Sequence, residues 1–222
     1  GYRVALDPVL LAASVPAKPD QSVLDVGCGT GAVSLCLAAR VPGLALTGLD
    51  CDDRSLALAR ESAALNAREA EWVAGDVFKP PAALLSRQFD HVISNPPYRS
   101  IERGRPSPNA DLARAHFIDD AGFDRWLAFC AGRVRGKGML SLILPAGDLG
   151  RTLAILAPLF GGLIVTPIWP RRGAEARRVI VQGRRSGSAP LRLLPGLVLH
   201  DEDGGYTAAA EQVLRGAMAL TA

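Results

Sequence analysis

The chain has 222 residues, 49% of them hydrophobic, which is enough for one well-buried core. Its net charge is only +3, and no apolar run reaches the length of a membrane span, since LSLILPAG is broken by Pro145 and followed by Asp148. The four cysteines (28, 36, 51 and 130) show neither CxxC spacing nor a histidine partner pattern; they read as reduced small core residues of a cytoplasmic protein rather than as a zinc site or disulfide framework.

Taken in order, the segments alternate between helix and strand. Asp7-Pro8 predicts a helix over 8–14, with Asp7 as N-cap and Pro8 in the first position. An apolar strand over 22–26 then runs into VLDVGCGTG, Val23 to Gly31, where Asp25 closes the strand and Gly27, Gly29 and Gly31 follow. Glycines there let the backbone bend sharply and let a ligand approach closely. The pattern Gly27-x-Gly29-x-x-Ala32 also fits a dinucleotide fingerprint with alanine last. A helix over 31–40 follows. The next strand, 45–49, ends at Asp50, 19 residues after Gly31, where a carboxylate can take both hydroxyls of a ribose. Asp52 and Asp53 cap a helix over 53–65. Strands at 71–74, 90–94, 139–144, 163–168 and 178–182 and helices at 122–133, 148–159 and 207–218 complete the series. The expected fold is α/β: a doubly wound, mostly parallel seven-stranded sheet, with helices on both faces and an antiparallel edge strand from the closely spaced last pair. Residues 1–222 read as a single domain, with no repeat and no linker. No signal peptide is visible; the chain starts at Gly1 rather than Met, which leaves room for upstream residues.

The segment FDHVISNPPY is the most informative. A β-branched strand stops at Asn95, and two prolines cannot continue it, because each lacks an N–H and fixes φ. The stiffened backbone lies just past a strand's carboxyl end, where α/β proteins place ligands. Asn95 offers an amide oxygen, Pro96 a free carbonyl and Tyr98 a flat face. Together they can grip a planar group that bears an NH2, either a nucleobase or a carboxamide. His91 reads as a packed histidine and His200 as a surface residue. Trp72, Trp126, Phe129 and Phe160 read as core, and Trp169 as core or as a stacking platform.

Charge is segregated. Residues 1–90 carry 8 Lys and Arg against 11 Asp and Glu, a net of −3, whereas residues 99–190 carry 15 against 7, a net of +8. Two groups stand out: Arg99, Arg103 and Arg105 in a long proline-bearing loop, and Arg171, Arg172, Arg177, Arg178, Arg184 and Arg185 around the late strands. Such surfaces bind phosphate in a salt-sensitive, sequence-independent manner.

These motifs resemble those of the class I, Rossmann-like S-adenosylmethionine-dependent methyltransferases. DVGCGTG resembles their first motif, Asp50 their ribose-binding acid, AGDVF (Ala74 to Phe78) their adenine-contacting loop, and Asn95-Pro-Pro-Tyr98 their amino-methylating motif. GYRVALDPVLLAA, GMLSLILPAGDL and LVLHDEDGGYT resemble segments of the bacterial valine-tRNA adenine-N6 methyltransferases. The resemblance implies S-adenosylmethionine as cofactor, held by Asp25, Gly27, Gly29, Gly31, Asp50, Asp76, Val77 and Asn95. It implies methyl transfer to an adenine amine of RNA, with tRNA near the anticodon as substrate and Asn95, Pro96 and Tyr98 as the acceptor clamp. The arginines 99, 103, 105, 171, 172, 177 and 178 become RNA-binding candidates, and neither metal nor membrane is implied. A carboxamide fits the same clamp, so a protein glutamine methyltransferase is the alternative; a non-catalytic adenosyl-ligand or RNA-binding module is the third reading.

Overall fold

The computed structural model describes residues 6–99, 117–215 and 218–220. Helix α1 (Leu6–Ser14) precedes strand β1 (Ser22–Val26), and then α2 (Ala32–Arg40), β2 (Ala45–Asp50), α3 (Asp53–Leu65), β3 (Glu71–Ala74), the single turn α4 (Ala82–Leu85) and β4 (Phe89–Ser94). The two-residue strands β5 (Tyr98–Arg99) and β6 (Phe117–Ile118) pair with each other. After them come α5 (Asp120–Arg133), β7 (Val134–Pro145), α6 (Leu149–Leu156), β8 (Phe160–Arg171), β9 (Arg178–Arg185), β10 (Arg192–Leu193), β11 (Leu197–His200) and α7 (Ala208–Arg215).

The main sheet has nine strands in the order β10-β8-β9-β7-β4-β1-β2-β3, with β11 also alongside β8. The seven expected strands form its body. The short β10 and β11, which were not expected, extend it along β8. Every pairing in this sheet is parallel except those of β9, which runs antiparallel to both β7 and β8. The antiparallel strand therefore sits between two parallel ones, one place in from the β8 side.

Alternation along the strands sends side chains to two buried faces, as a sheet covered by helices on both sides requires. Leu24, Val26, Val92, Leu140, Leu142, Leu144, Val179 and Val181 pack with Phe123, Trp126, Leu127 and Cys130 of α5. Val23, Ile93, Ile143, Ile180 and Ile168 pack on the other side with Leu10 and Leu11 of α1, Val33 and Leu37 of α2 and Val213 of α7.

Local chemistry explains the start of α3 but not that of α1. Asp52 caps α3, its carboxylate accepting from the N–H groups of Arg54 and Ser55 at 3.3 and 3.1 Å. Asp7, expected as a cap, instead lies within the first turn of α1, and its carboxylate is drawn to Arg178 Nε at 2.9 Å, tying α1 to the start of β9. His91 is packed as expected: it is buried, its Nε2 lies 3.0 Å from Gln21 Oε1, and burial pulls its pKa down to about 4.

Candidate active site

Because β1, β2, β3, β4 and β7 run parallel, their carboxyl ends share one edge of the sheet. The glycine turn leaves β1 at this edge. The N–H groups of Gly27 and Cys28 both donate to Leu49 O, at 2.8 and 3.0 Å, and Gly31 N–H donates to Cys28 O at 2.9 Å. All three glycines have positive φ, 72°, 52° and 78°, a region costly for any residue with a Cβ.

The three glycines differ in their surroundings. A Cβ on Gly27 would come within 2.8 Å of the Trp126 ring, and one on Gly31 within 2.6 Å of the Trp72 ring. A Cβ on Gly29 would meet nothing within 4 Å. Two of the glycines thus make room for tryptophans, and the middle one borders open space. Gly48 in β2 belongs to the same arrangement, since a Cβ there would stand 2.5 Å from Trp72.

Asp50 fastens the turn. One carboxylate oxygen accepts from Gly29 N–H at 2.7 Å and the other from Asp52 N–H at 2.9 Å. Each oxygen keeps a lone pair for a further donor. Gly75 N–H donates to Asp50 O at 2.9 Å, which brings the loop after β3 to the same place. In that loop Asp76 accepts from Phe78 N–H at 2.8 Å, while Val77 is buried in the core. The loop's backbone and the Asp76 carboxylate, not the Val77 side chain, are therefore what this segment offers a ligand.

Asp25 is fully enclosed. One of its oxygens accepts from Ser34 Oγ at 2.8 Å; the other is buried and has no hydrogen-bond partner. Burial pushes its pKa up to about 7, against the lowering effect of Ser34, and Asp50 adds a repulsion. The thiols of Cys28 and Cys51 are likewise raised, first by burial and then by the neighbouring aspartates. Burial holds Asp25 and these thiols toward their neutral forms, so the neighbouring carboxyl groups of Asp50, Asp52 and Asp76 are what make this corner acidic and suit it to a cationic ligand. Cys51, expected in the core, is exposed.

Asn95 and Pro96 leave β4 one strand away from the glycine turn. Ser94, fully buried, donates from Oγ to Val26 O at 2.7 Å and accepts from Trp126 Nε1 at 3.0 Å. Among the described residues nothing engages the Asn95 amide or the Pro96 carbonyl. The clamp's acceptors thus have no partner among the described residues, Asn95 half-buried and Pro96 buried, on a backbone pinned just beneath them. The backbone of Tyr98 and Arg99 pairs with β6. The Tyr98 ring, the Arg99 side chain, Arg103 and Arg105 lie outside the described residues.

The late arginines separate into two sets. Arg171 ends β8 and Arg172 follows it, and Arg177 and Arg178 precede or begin antiparallel β9, so all four stand at the edge that carries Asn95. The strand spacing puts β9 roughly 10 Å and β8 roughly 14 Å from β4. Arg171, Arg172 and Arg177 are exposed, whereas Arg178 is held by Asp7. Arg184 and Arg185 sit at the opposite end of β9, bonded to the carbonyls of Lys137 and Ala131, away from the site. Their proximity in sequence to the first set is undone by the length of the strand. Trp169 is accounted for structurally: its indole N–H donates to Pro195 O at 3.0 Å. His200, expected at the surface, is half-buried and stacks on Tyr206 at 4.8 Å between ring centroids.

Residues 6–115 match the family model of the methyltransferase small domain. A relative in Shewanella sp. strain MR-7, named tRNA1(Val) (adenine(37)-N6)-methyltransferase, is 29% identical over 214 residues, 93% of this chain and 88% of its own length. A like-named protein of Dickeya chrysanthemi is 28% identical over 225 residues, 96% of this chain and 86% of its own. A solved structure from Agrobacterium tumefaciens, described as a predicted O-methyltransferase, is 27% identical, covers 96% of this chain and 97% of its own, and superposes with a TM-score of 0.78. A 16S rRNA guanine-N2 methyltransferase of T. thermophilus, at 22% identity and a TM-score of 0.55, shares the fold over 75% of this chain.

The glycine turn, the acidic corner and the shared edge of strand ends are those of an enzyme that uses S-adenosylmethionine. The chain belongs to the class I S-adenosylmethionine-dependent methyltransferases, within the methyltransferase small-domain family. The residues present fit that cofactor: open space beside Gly29, a buried unpartnered carboxylate oxygen on Asp25 and spare lone pairs on Asp50 answer a cationic, hydroxyl-bearing ligand.

Proposed function

We propose that this enzyme methylates the N6 amine of an adenine in tRNA, near the anticodon, as the names of its Shewanella and Dickeya relatives describe for theirs. The observation that carries the reading is the Asn95-Pro96 pair, with its acceptors unengaged among the described residues at the end of β4 beside the glycine turn. In this reading Asp50 takes the ribose hydroxyls, the Asp76-Val77 backbone meets the adenine of the cofactor, and Asp25 balances its positive charge. The whole chain, 1–222, acts as one cytoplasmic domain. Among the described residues no helix is long and apolar enough to cross a membrane.

The bound cofactor supplies a methyl group already activated on sulfur. The protein's task is to present the amine. An adenine N6 is a poor nucleophile, because its lone pair is delocalised into the ring. Asn95 Oδ1 and the Pro96 carbonyl accept its two N–H groups and turn the lone pair out of the ring plane. Tyr98 covers the base and excludes water. Alignment of this kind lowers a barrier by up to roughly 7–11 kcal/mol, and the acceptors hold more strongly as positive charge develops on nitrogen. No general base is needed before transfer. A stacked or paired adenine must first be turned out of its helix.

The exposed Arg171, Arg172 and Arg177 flank the mouth and hold phosphates. The test is methyl transfer from labelled cofactor to total tRNA and to a release-factor protein, with nucleoside analysis. N6-methyladenosine in the tRNA, lost when Arg171 and Arg172 are changed to Glu and weakened steeply by salt, is the expected result. Label in a protein glutamine instead, indifferent to that change, would replace this reading with the alternative.

A further inference from the structure

Trp126 is buried in the middle of α5, yet it touches three separate parts of the site. Its indole N–H donates to Ser94 Oγ at 3.0 Å, and that hydroxyl passes its own proton to Val26 O at 2.7 Å. Ser94 immediately precedes Asn95, and Val26 immediately precedes Gly27. The far edge of the same ring lies under the glycine turn, where the Cζ2 and Cη2 atoms stand 2.8 and 2.9 Å from where a Cβ on Gly27 would be. Its remaining side meets Phe78 edge-on, at 6.3 Å between centroids and 66° between planes. Phe78 ends the segment proposed to meet the cofactor's adenine, and is itself covered by the Arg125 guanidinium at 4.8 Å.

A buried indole is an apolar body with one polar handle, and that handle must be satisfied. Here the partner is not an arbitrary carbonyl. It is a hydroxyl that ties Ser94 to Val26, residues already paired where β4 and β1 end, so the indole bond fastens the ends of the acceptor strand and the cofactor strand together onto α5. α5 is itself held in place, because Arg151 of α6 forks onto Asp124 at 2.6 and 2.7 Å and reaches Asp120 at 2.8 Å.

We infer that Trp126 is a positioning residue, which through Ser94 anchors the Asn95 clamp in its orientation against the glycine turn. It touches neither reacting atom. The inference rests on the clamp reading above but not on the identity of the acceptor, since a base and a carboxamide would need the same orientation.

Trp126→Phe removes the N–H and keeps a ring under Gly27. Ser94 still donates to Val26 O. The experiment compares this variant with wild type in three measurements: kcat on whichever acceptor the wild type methylates, cofactor Kd by calorimetry, and Tm. The expected result is a kcat lower by about fivefold to a hundredfold, with cofactor Kd within about threefold of wild type. Ser94→Ala breaks the same link from the other side. If the two act as one unit, the double variant is no slower than the slower single variant. Should Trp126→Phe not fold, Ser94→Ala is read on the same split. A lower Tm with unchanged kcat would reduce Trp126 to a core residue and overturn the inference. So would a parallel loss of cofactor affinity and kcat, which would make it a support of the turn alone. Wild-type transfer to a peptide glutamine rather than to tRNA would refute the proposed acceptor, while the kcat ratio would still decide the role of Trp126.

Discussion

Gly29→Ala separates binding from folding at a single methyl group. At Gly27 or Gly31 a Cβ would collide with an indole, so damage to the fold and loss of cofactor would arrive together. At Gly29 it would meet no protein atom within 4 Å. The fold therefore bears only the backbone cost of placing alanine at φ 52°, about 1–2 kcal/mol. For a chain of this length that corresponds to a Tm lower by roughly 2–8 °C. The methyl group would, however, stand where the cofactor is proposed to lie against the turn. Overpacking of that kind costs about 1–3 kcal/mol, or roughly a fivefold to 150-fold rise in Kd. Calorimetry with S-adenosylhomocysteine, beside thermal unfolding of the free protein, measures both quantities. A Gly29→Ala protein that binds with wild-type affinity would show that no ligand passes over this glycine, and the assignment of the turn would fall.

Asp50→Ala removes the acceptor of two backbone N–H groups and of the proposed ribose; cofactor affinity should fall by about 1.5–3 kcal/mol, and unchanged calorimetric affinity would take Asp50 out of the site. Asn95→Ala should abolish transfer and leave cofactor Kd nearly intact, because it faces the acceptor; near-normal kcat would refute the clamp. His91 and Asp25 set opposing pH dependences. The His91 pKa is lowered to about 4, so its contribution to stability is full above about 6.5 and is lost as pH falls through 4; that of Asp25, raised to about 7, is full below about 4 and is lost as pH rises through 7. His91→Leu should thus remove a loss on the order of 3 kcal/mol from the acid side, read as the difference between variant and wild-type urea midpoints from pH 6.5 to 4. A constant difference across that range would mean that His91 does not titrate differently on folding.

The order of elements was legible because each strand of the body is an apolar run bounded by turn residues, and each motif closes a strand. Asp25, Gly27, Gly29, Gly31, Asp50 and Asn95 could be placed on one edge before any coordinates, since parallel strands share their carboxyl ends. What sequence could not supply was the partner of a side chain distant in the chain. Asp7 reads as a cap because capping is local, and only the fold brings Arg178 to it. Trp126 reads as core because its apolar neighbours say so; nothing nearby marks its bond to Ser94, 32 residues earlier. The late arginines look like one cluster until β9 carries Arg184 and Arg185 eight residues' length away from Arg177. β10 escaped because a strand of two residues carries no period to detect.

The position of β9 bears on how the chain is made. β7 and β8 do not pair with each other; each bonds only to β9 on their facing sides. During synthesis from the amino terminus, the glycine turn and the Asn95 strand emerge early, while the strand that joins the two halves of the sheet emerges late. Until it arrives, the β7 edge, with buried Leu142, Ile143 and Leu144, stands unpaired, and α1 lacks the Arg178 and Gln182 contacts that hold Asp7 and Ser14. A nascent or truncated chain ending before residue 178 would present a long apolar strand edge of the kind that aggregates. In a nascent chain that exposure ends when the eight residues of β9 arrive; in a truncated one it is permanent.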